Sequence, residues 1–173
     1  MVLKTERLTI RRVAGDDWKA AQGIWADFGL SEYAQYDKPH PTEDEAVRMR
    51  IARWAQFSES TEHMFFAVCL EGEMIGYIAF NARENGHEIG YCFHSSSHGK
   101  GYAKEAHLAL FAYMKTQGFT RFTAGTALGN LPSVALLKSL GFTLTGTEKV
   151  SFYKKENGED IVFDGGVFER TTA

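Results

Sequence analysis

Two rhythms of apolar residues alternate along this chain, and together they predict a protein of mixed helices and strands. Leu8 to Val13 alternates closely enough to form a strand. Trp18, Ala21, Ile24, Trp25 and Phe28 then fall at helical spacing, with Asp16 or Asp17 placed to cap the start. Periodicity breaks from Gly29 to His40, a segment that carries Tyr33 and Tyr36. A second helix is predicted from the capping box Thr42-Glu43-Asp44-Glu45 through Val47, Ile51 and Trp54. Met64 to Leu70 and Met74 to Asn81 read as a hairpin turning at Glu71-Gly72-Glu73. Next come a strand from Glu88 to Phe93, a helix from Tyr102 to Met114 and a strand from Arg121 to Thr126. A short helix follows Asn130. Strands from Thr143 to Tyr153 and Ile161 to Glu169 close the order, joined by the polar turn Lys154 to Asp160. Trp18, Trp25 and Trp54 read as core.

Composition narrows the class. A chain of 173 residues is expected to form a single domain, residues 1–173, with a substantial core. A formal charge of −3 gives no reason to expect a nucleic-acid partner, which shows as a basic excess. No apolar run reaches the roughly 18 residues of a membrane span, and the N-terminus lacks a secretory pattern. Cys69 and Cys92 fall in strand runs without C-x-x-C spacing, so they are expected to be buried reduced thiols in a cytoplasmic protein.

Candidate chemistry concentrates in His94 to Glu105, HSSSHGKGYAKE, between a strand and a helix. Gly99 and Gly101 permit a tight bend, and the first amides of the helix lack intrahelical partners at a positive dipole end. Such a place binds phosphate. Two phosphate motifs are excluded by spacing. A Walker loop needs Ser or Thr after the lysine, but Gly101 follows Lys100. The dinucleotide fingerprint needs a third glycine where Lys104 stands.

The remaining sequence, HGKGYA, resembles the pyrophosphate loop of the GNAT N-acetyltransferases, Gln/Arg-x-x-Gly-x-Gly/Ala. His98 departs from the first position, while Gly101 and Ala103 match the fourth and sixth. Asn130-Leu131-Pro132-Ser133 followed by Leu140-Gly141-Phe142 is similar to a second signature of that superfamily. The opening Leu3 to Arg11 looks like the first strand of the subgroup of ribosomal-protein-alanine (RimJ/RimL-type) N-acetyltransferases. This resemblance implies a mixed α/β (α+β) fold: a mostly antiparallel central sheet of about seven strands flanked by four helices. It also implies acetyl-CoA as cosubstrate, no metal, and a primary amine as acceptor, either a protein N-terminus or a small molecule. Paired subunits are common among such relatives.

The resemblance also assigns roles. Main-chain amides from His98 through Gly99, Lys100, Gly101, Tyr102 and Ala103 would hold the diphosphate, with Lys100 and Lys104 near the outer phosphates or merely solvated. Amides of Tyr91, Cys92 and Phe93 would meet the pantetheine and the developing oxyanion. Asn130 either contacts the pantetheine or only caps a helix. Ser133 either protonates the leaving thiolate or caps a helix; many members use a tyrosine where this chain has Leu137. Glu88 is the candidate base, with an outward salt bridge as the alternative and Glu148 as a weaker candidate; Phe152 stands where some relatives place a glutamate. Tyr33, Tyr36 and Asp37 would line the acceptor path, or face solvent.

The residues also allow four other readings. Cys92, His94 and His98 have no metal-site spacing that fits a strand end and a glycine loop, and His87-Glu88 lacks the second histidine of HExxH. A covalent acetyl-cysteine at Cys92 needs a thiolate, which a buried strand does not favour. A non-catalytic acyl-CoA sensor or a nucleotide-binding phosphotransferase would keep the loop but differ in thiol release or in ATP and magnesium binding.

Overall fold

Strand β1 (Val2–Lys4) opens the fold and pairs antiparallel with β2 (Leu8–Arg12) in the computed structural model, which describes residues 1–172. Helices α1 (Trp18–Gly29) and α2 (Asp44–Ala55) follow. Then come β3 (His63–Leu70), β4 (Glu73–Arg83) and β5 (Gly86–Phe93), α3 (Tyr102–Thr116), β6 (Arg121–Ala127) and α4 (Leu131–Ser139). Strands β7 (Thr143–Lys154) and β8 (Asp160–Thr171) complete it. The eight strands form one sheet in the order β1-β2-β3-β4-β5-β6-β8-β7, antiparallel throughout except between β5 and β6.

The period-2 pattern of the strands decides what each face covers. Met64, Phe66 and Val68 of β3 and Ile78 and Phe80 of β4 share a face with Ile89, Phe122 and Phe168, under Leu110, Phe111 and Met114 of α3 and Leu137 of α4. The intervening residues Ala67, Cys69 and Tyr77 face the other way, under Ala21, Ile24 and Trp25 of α1 and Val47 and Ile51 of α2. Trp25 is fully buried, and its indole N–H donates to the Tyr77 hydroxyl at 2.9 Å, satisfying a polar atom that burial would otherwise strand. Trp54 stacks on Phe65 at 4.4 Å, and Trp18 packs at the margin of the same core.

The structure corrects three local expectations. Leu3 to Arg11 is a ribbon of two strands, because the Thr5 hydroxyl accepts from the Leu8 N–H at 3.0 Å and folds the chain at Glu6. The sheet therefore has eight strands, where about seven were expected. The capping box at Thr42 does not form: α2 begins at Asp44, and the Glu43 side chain at the cap position makes no capping bond. Gln22 of α1 has taken over, donating to the Thr42 carbonyl at 2.7 Å and to the Asp44 carboxylate at 2.8 Å. Asp17 precedes α1, but its carboxylate turns back to Arg11 and to the Ala14 N–H, where it caps the short 3-10 turn Gly15–Asp17 and leaves α1 without a side-chain cap.

Candidate active site

The parallel pairing of β5 with β6 runs only through His87–Phe122, Glu88–Thr123 and Ile89–Ala124. Beyond it β5 stays with β4 as far as Phe93, while β6 stays with β8 as far as Ala127. A wedge therefore opens between residues 90–93 and 125–127. The His94 N–H donates to Ile75 of β4 at 2.9 Å. Strand alternation then turns the Cys92 N–H toward β4 as well and the Tyr91 and Phe93 N–H groups into the wedge. Tyr91 and Phe93 thus present main-chain donors to the wedge, and Cys92 does not.

At the wide end of the wedge lies the glycine loop. Gly99 and Gly101 adopt φ of 73° and 81°, left-handed values that suit glycine, and Gly101 stands immediately before α3. Among the described residues no hydrogen bond ends on the N–H groups of residues 99–104, four of which fall at the helix start. His98 is different. Its N–H donates to Ser95 at 3.1 Å and its Nε2–H to the Phe93 carbonyl at 2.9 Å, so it props the loop. Lys100 is exposed and donates to the Ser96 carbonyl at 3.0 Å, and Lys104 is exposed on the first turn of α3.

The β1–β2 corner braces this loop. Arg7 donates from Nη1 to the Lys100 carbonyl at 2.8 Å and from Nε to Glu105 at 2.7 Å, with its guanidinium 4.5 Å from the Tyr102 ring centroid. Glu105 also accepts from the Thr5 hydroxyl at 2.5 Å and the Arg7 N–H at 3.0 Å. Desolvation pushes the Glu105 carboxyl up, but the bonds from Thr5 and Arg7 outweigh it and hold it below the ordinary range.

A chain of hydroxyls bridges the wedge on the α4 side. Thr126 of β6 donates to Ser133 at 2.9 Å, and Ser133 lies 2.6 Å from the Tyr91 hydroxyl of β5. Burial pushes the Tyr91 phenol up to about 12, so it keeps its proton, and either hydroxyl of the Tyr91–Ser133 pair can be the donor. With Tyr91 donating, both acceptor positions of Ser133 are filled and its own proton is free for a third direction. Asn130 caps α4, its Oδ1 accepting from the Ser133 N–H at 3.3 Å, so Ser133 itself is not the cap. Leu137 is fully buried in the core.

His107 lies beneath this chain, edge-on to the Tyr91 ring at 4.9 Å, its Nδ1–H donating to the Ala103 carbonyl at 2.7 Å. Burial depresses its pKa from 6.5 to about 4, only partly offset by the Ala103 bond, so it is neutral near pH 7. In the unfolded chain it titrates at the ordinary value, so the unfolded state takes up the proton first. Stability from this group is therefore complete above pH 6.5 and is lost as pH falls toward 4. His107→Gln is expected to flatten that part of a denaturation-midpoint profile; an unchanged acid slope would count against it.

The remaining sequence candidates lie elsewhere. Glu88 is half exposed and paired with Arg83 at 2.7 Å, back where β5 and β6 are still joined. Glu148 is exposed on β7, and Phe152 packs on Phe163 at 5.9 Å. Burial, with smaller contributions from Asp37 and Asp27, pushes the Cys92 thiol up to about 12, which opposes an acetyl-cysteine route. Tyr36 packs edge-on to Phe163 at 5.1 Å and reaches across to the α4 corner, where a Cβ on Gly129 would lie 2.9 Å from its hydroxyl. Tyr33 stacks on Tyr36 at 6.5 Å. Behind them is a cleft of about 450 Å³ lined by Trp25, Phe28, Pro39, His40, Tyr153 and Ile161 among others. Arg7, Glu105, Thr126 and His107 carry no signal in local sequence, because each acts on a partner brought close only by the fold.

This architecture has known counterparts. The family model for the acetyltransferase (GNAT) domain matches residues 7–143. The uncharacterized N-acetyltransferase YnaD of Bacillus subtilis (strain 168) is 30% identical over 160 residues, covering 90% of this chain and 87% of its own. The uncharacterized N-acetyltransferase p20 of Bacillus licheniformis is 32% identical over 165 residues, covering 92% and 90%. Among solved structures, RimL, the ribosomal L7/L12 alpha-N-protein acetyltransferase in complex with coenzyme A, superposes with a TM-score of 0.83 at 21% identity over 99% of this chain and 98% of its own. The Salmonella typhimurium acetyltransferase that modifies the N-terminal serine of L7/L12 gives 0.83 at 20% identity over the whole of both chains. The parted strands, the open glycine loop and the family match agree: this chain belongs to the GNAT family and is an N-acetyltransferase.

Proposed function

We propose that residues 1–173 act as one domain that transfers acetyl from acetyl-CoA to the free amine of a protein N-terminus or a smaller primary amine, by direct attack in a ternary complex. The observation that carries this reading is the parting of β5 from β6 beside six unpartnered loop amides. The N–H groups of residues 99–104 suit a diphosphate, and those of Tyr91 and Phe93 suit the pantetheine and the oxyanion. Fixed main-chain donors of this kind contribute roughly 3–4 kcal/mol each to such a transition state. Asn130 keeps its side-chain amide for the pantetheine while its oxygen caps α4. Ser133 directs its proton at the leaving sulfur. The Tyr33–Tyr36 segment roofs the acceptor cleft. Fold likeness to RimL supports a protein N-terminus as the acceptor, and the free thiols of Cys69 and Cys92 fit a cytoplasmic enzyme.

Free-thiol release from acetyl-CoA, measured against peptides with free or blocked N-termini and a panel of small amines, tests this. Release only with free amines is expected, and no release with any acceptor would overturn it. Glu88 is outside this reading. Because its carboxylate is an exposed partner of Arg83, Glu88→Gln is expected to keep turnover within about twofold. A tenfold loss would restore it as the base.

A further inference from the structure

Acetyl transfer to an ammonium needs a group that removes a proton before nitrogen can attack, and with Glu88 tied to Arg83 that group has to be sought elsewhere. We propose that Asp37 is the catalytic residue that binds the acceptor ammonium and takes its proton, that His40 positions it, and that the cleft selects amines with one positive charge and an apolar substituent. This rests on the reading of the wedge given above and adds the base and the acceptor class.

The geometry converges on Asp37. It follows Tyr36, whose hydroxyl abuts Gly129, one residue before Asn130. The carboxylate is fixed at both oxygens and still half exposed. Oδ1 accepts the Lys38 N–H at 2.8 Å, and Oδ2 lies 3.0 Å from His40 Nε2. Asp37 lies within electrostatic reach of Tyr77 of β4, Cys92 of β5 and Tyr153 of β7, and it immediately precedes Lys38, Pro39 and His40 on the cleft lining.

His40 is held more firmly than a loop histidine needs to be. Its ring stacks parallel on Trp25 at 5.2 Å and meets Phe28 edge-on at 6.1 Å. Among the described residues Nδ1 is buried without a hydrogen-bond partner. A bare ring nitrogen costs less there than an N–H with no acceptor, so Nε2 carries the proton and donates it to Asp37. The indole beneath is itself locked by Tyr77. A rigid column, Tyr77–Trp25–His40, thus aims one carboxylate.

The surroundings define the acceptor. Trp25, Phe28, Pro39, Tyr153 and Ile161 give the cleft apolar walls, while Lys38 and Lys154 stand on its lining. The titratable groups within electrostatic reach of the carboxylate are Tyr77, Cys92 and Tyr153; Asp27 of α1 acts in turn on Cys92, and Arg50, over Trp25, on Tyr77. One ammonium meets Asp37; a second cationic group further along would meet Lys38, and Lys154 with its partner Asp160 at 3.5 Å. Polyamines are therefore disfavoured, and a free N-terminus followed by an apolar side chain fits.

The protons balance simply. The ammonium gives one proton to the Asp37 carboxylate, which passes it to water. The nitrogen lone pair forms the C–N bond, the C–S bond breaks, and the second nitrogen proton ends on the coenzyme sulfur through Ser133.

The test compares Asp37→Asn with wild type on a peptide amine with an apolar first residue. The expected loss in kcat/KM is about 100-fold, the low end of general-base effects. The variant should keep gaining rate with rising pH as free amine accumulates, and its acetyl-CoA affinity by calorimetry should not change. His40→Gln, which retains an N–H donor, should lose less than His40→Ala. Spermidine should be a poorer acceptor than phenethylamine. Equal rates and equal pH profiles for Asp37→Asn and wild type would overturn the assignment, as would a parallel loss of acetyl-CoA affinity. Preference for spermidine would overturn the acceptor class. Absence of thiol release from wild type with every amine would instead remove the reading beneath it.

Discussion

Gly101→Glu is expected to weaken acetyl-CoA binding by at least about 100-fold while leaving the protein folded. The effect has two sources. A carboxylate placed about 5 Å from a phosphate at an effective dielectric near 20 repels it by roughly 3 kcal/mol, close to a 200-fold change in affinity. Gly101 also holds φ at 81°, and a Cβ there would lie 3.3 Å from the Arg7 guanidinium. The new carboxylate would compete with Glu105 for Arg7 and slacken the bond that Arg7 makes to the Lys100 carbonyl. Gly101→Ala separates the two sources. It keeps the backbone strain of about 1–2 kcal/mol without the charge, and it should retain most of the affinity if the bend gives slightly. Calorimetry with acetyl-CoA, alongside a thermal melt, reads both variants. Wild-type affinity in Gly101→Glu would place the diphosphate elsewhere.

Ser133→Ala is expected to lower turnover by about 100-fold, within the general-acid range, with acetyl-CoA affinity changed less than about threefold. Ser133 accepts from Thr126 and, when Tyr91 donates, from the phenol as well, which leaves its own proton for the wedge. A serine hydroxyl is a weak acid, so it acts as a relay whose direction matters more than its acidity. Tyr91→Phe should therefore lose turnover too, by a smaller factor, since Thr126 still holds the serine. Removing the Ser133 hydroxyl also leaves the buried Tyr91 phenol unpaired, at a cost of about 1–3 kcal/mol in stability. Rates must be compared per folded molecule. Turnover equal to wild type would remove Ser133 from the mechanism.

These expectations rest unevenly on sequence. The helices around Trp25 and Leu110, and the strands carrying Phe66, Phe80 and Phe122, were legible because periodicity and burial agree there. The loop was legible because its glycines and the helix behind it are contiguous. The Thr5–Arg7 corner was not. A nine-residue run with strand-like alternation conceals a turn made by one threonine hydroxyl. The capping box failed for a related reason: a local rule was overridden by Gln22, twenty residues upstream. Chemistry carried across the fold was the least legible. Glu88 looked suitable because it precedes the loop on the same strand, yet the wedge opens only past Ile89. Asp37 and His40 lie in an aperiodic stretch, and only the stacking on Trp25 gives them a shared purpose. Cys92 was placed with its neighbours as a donor, whereas alternation turns its amide to the opposite side.

The short β5–β6 ladder has a mechanical consequence. Three register pairs join a five-strand plate, β1 to β5, to a three-strand plate, β6, β8 and β7. A thioester arm lying in the opening would take up amides on the β5 flank and the Asn130 corner together, doing the work of a missing strand between the plates. Cosubstrate would then suture the sheet, and the empty enzyme would be most compliant along the line where the acetyl group must be presented.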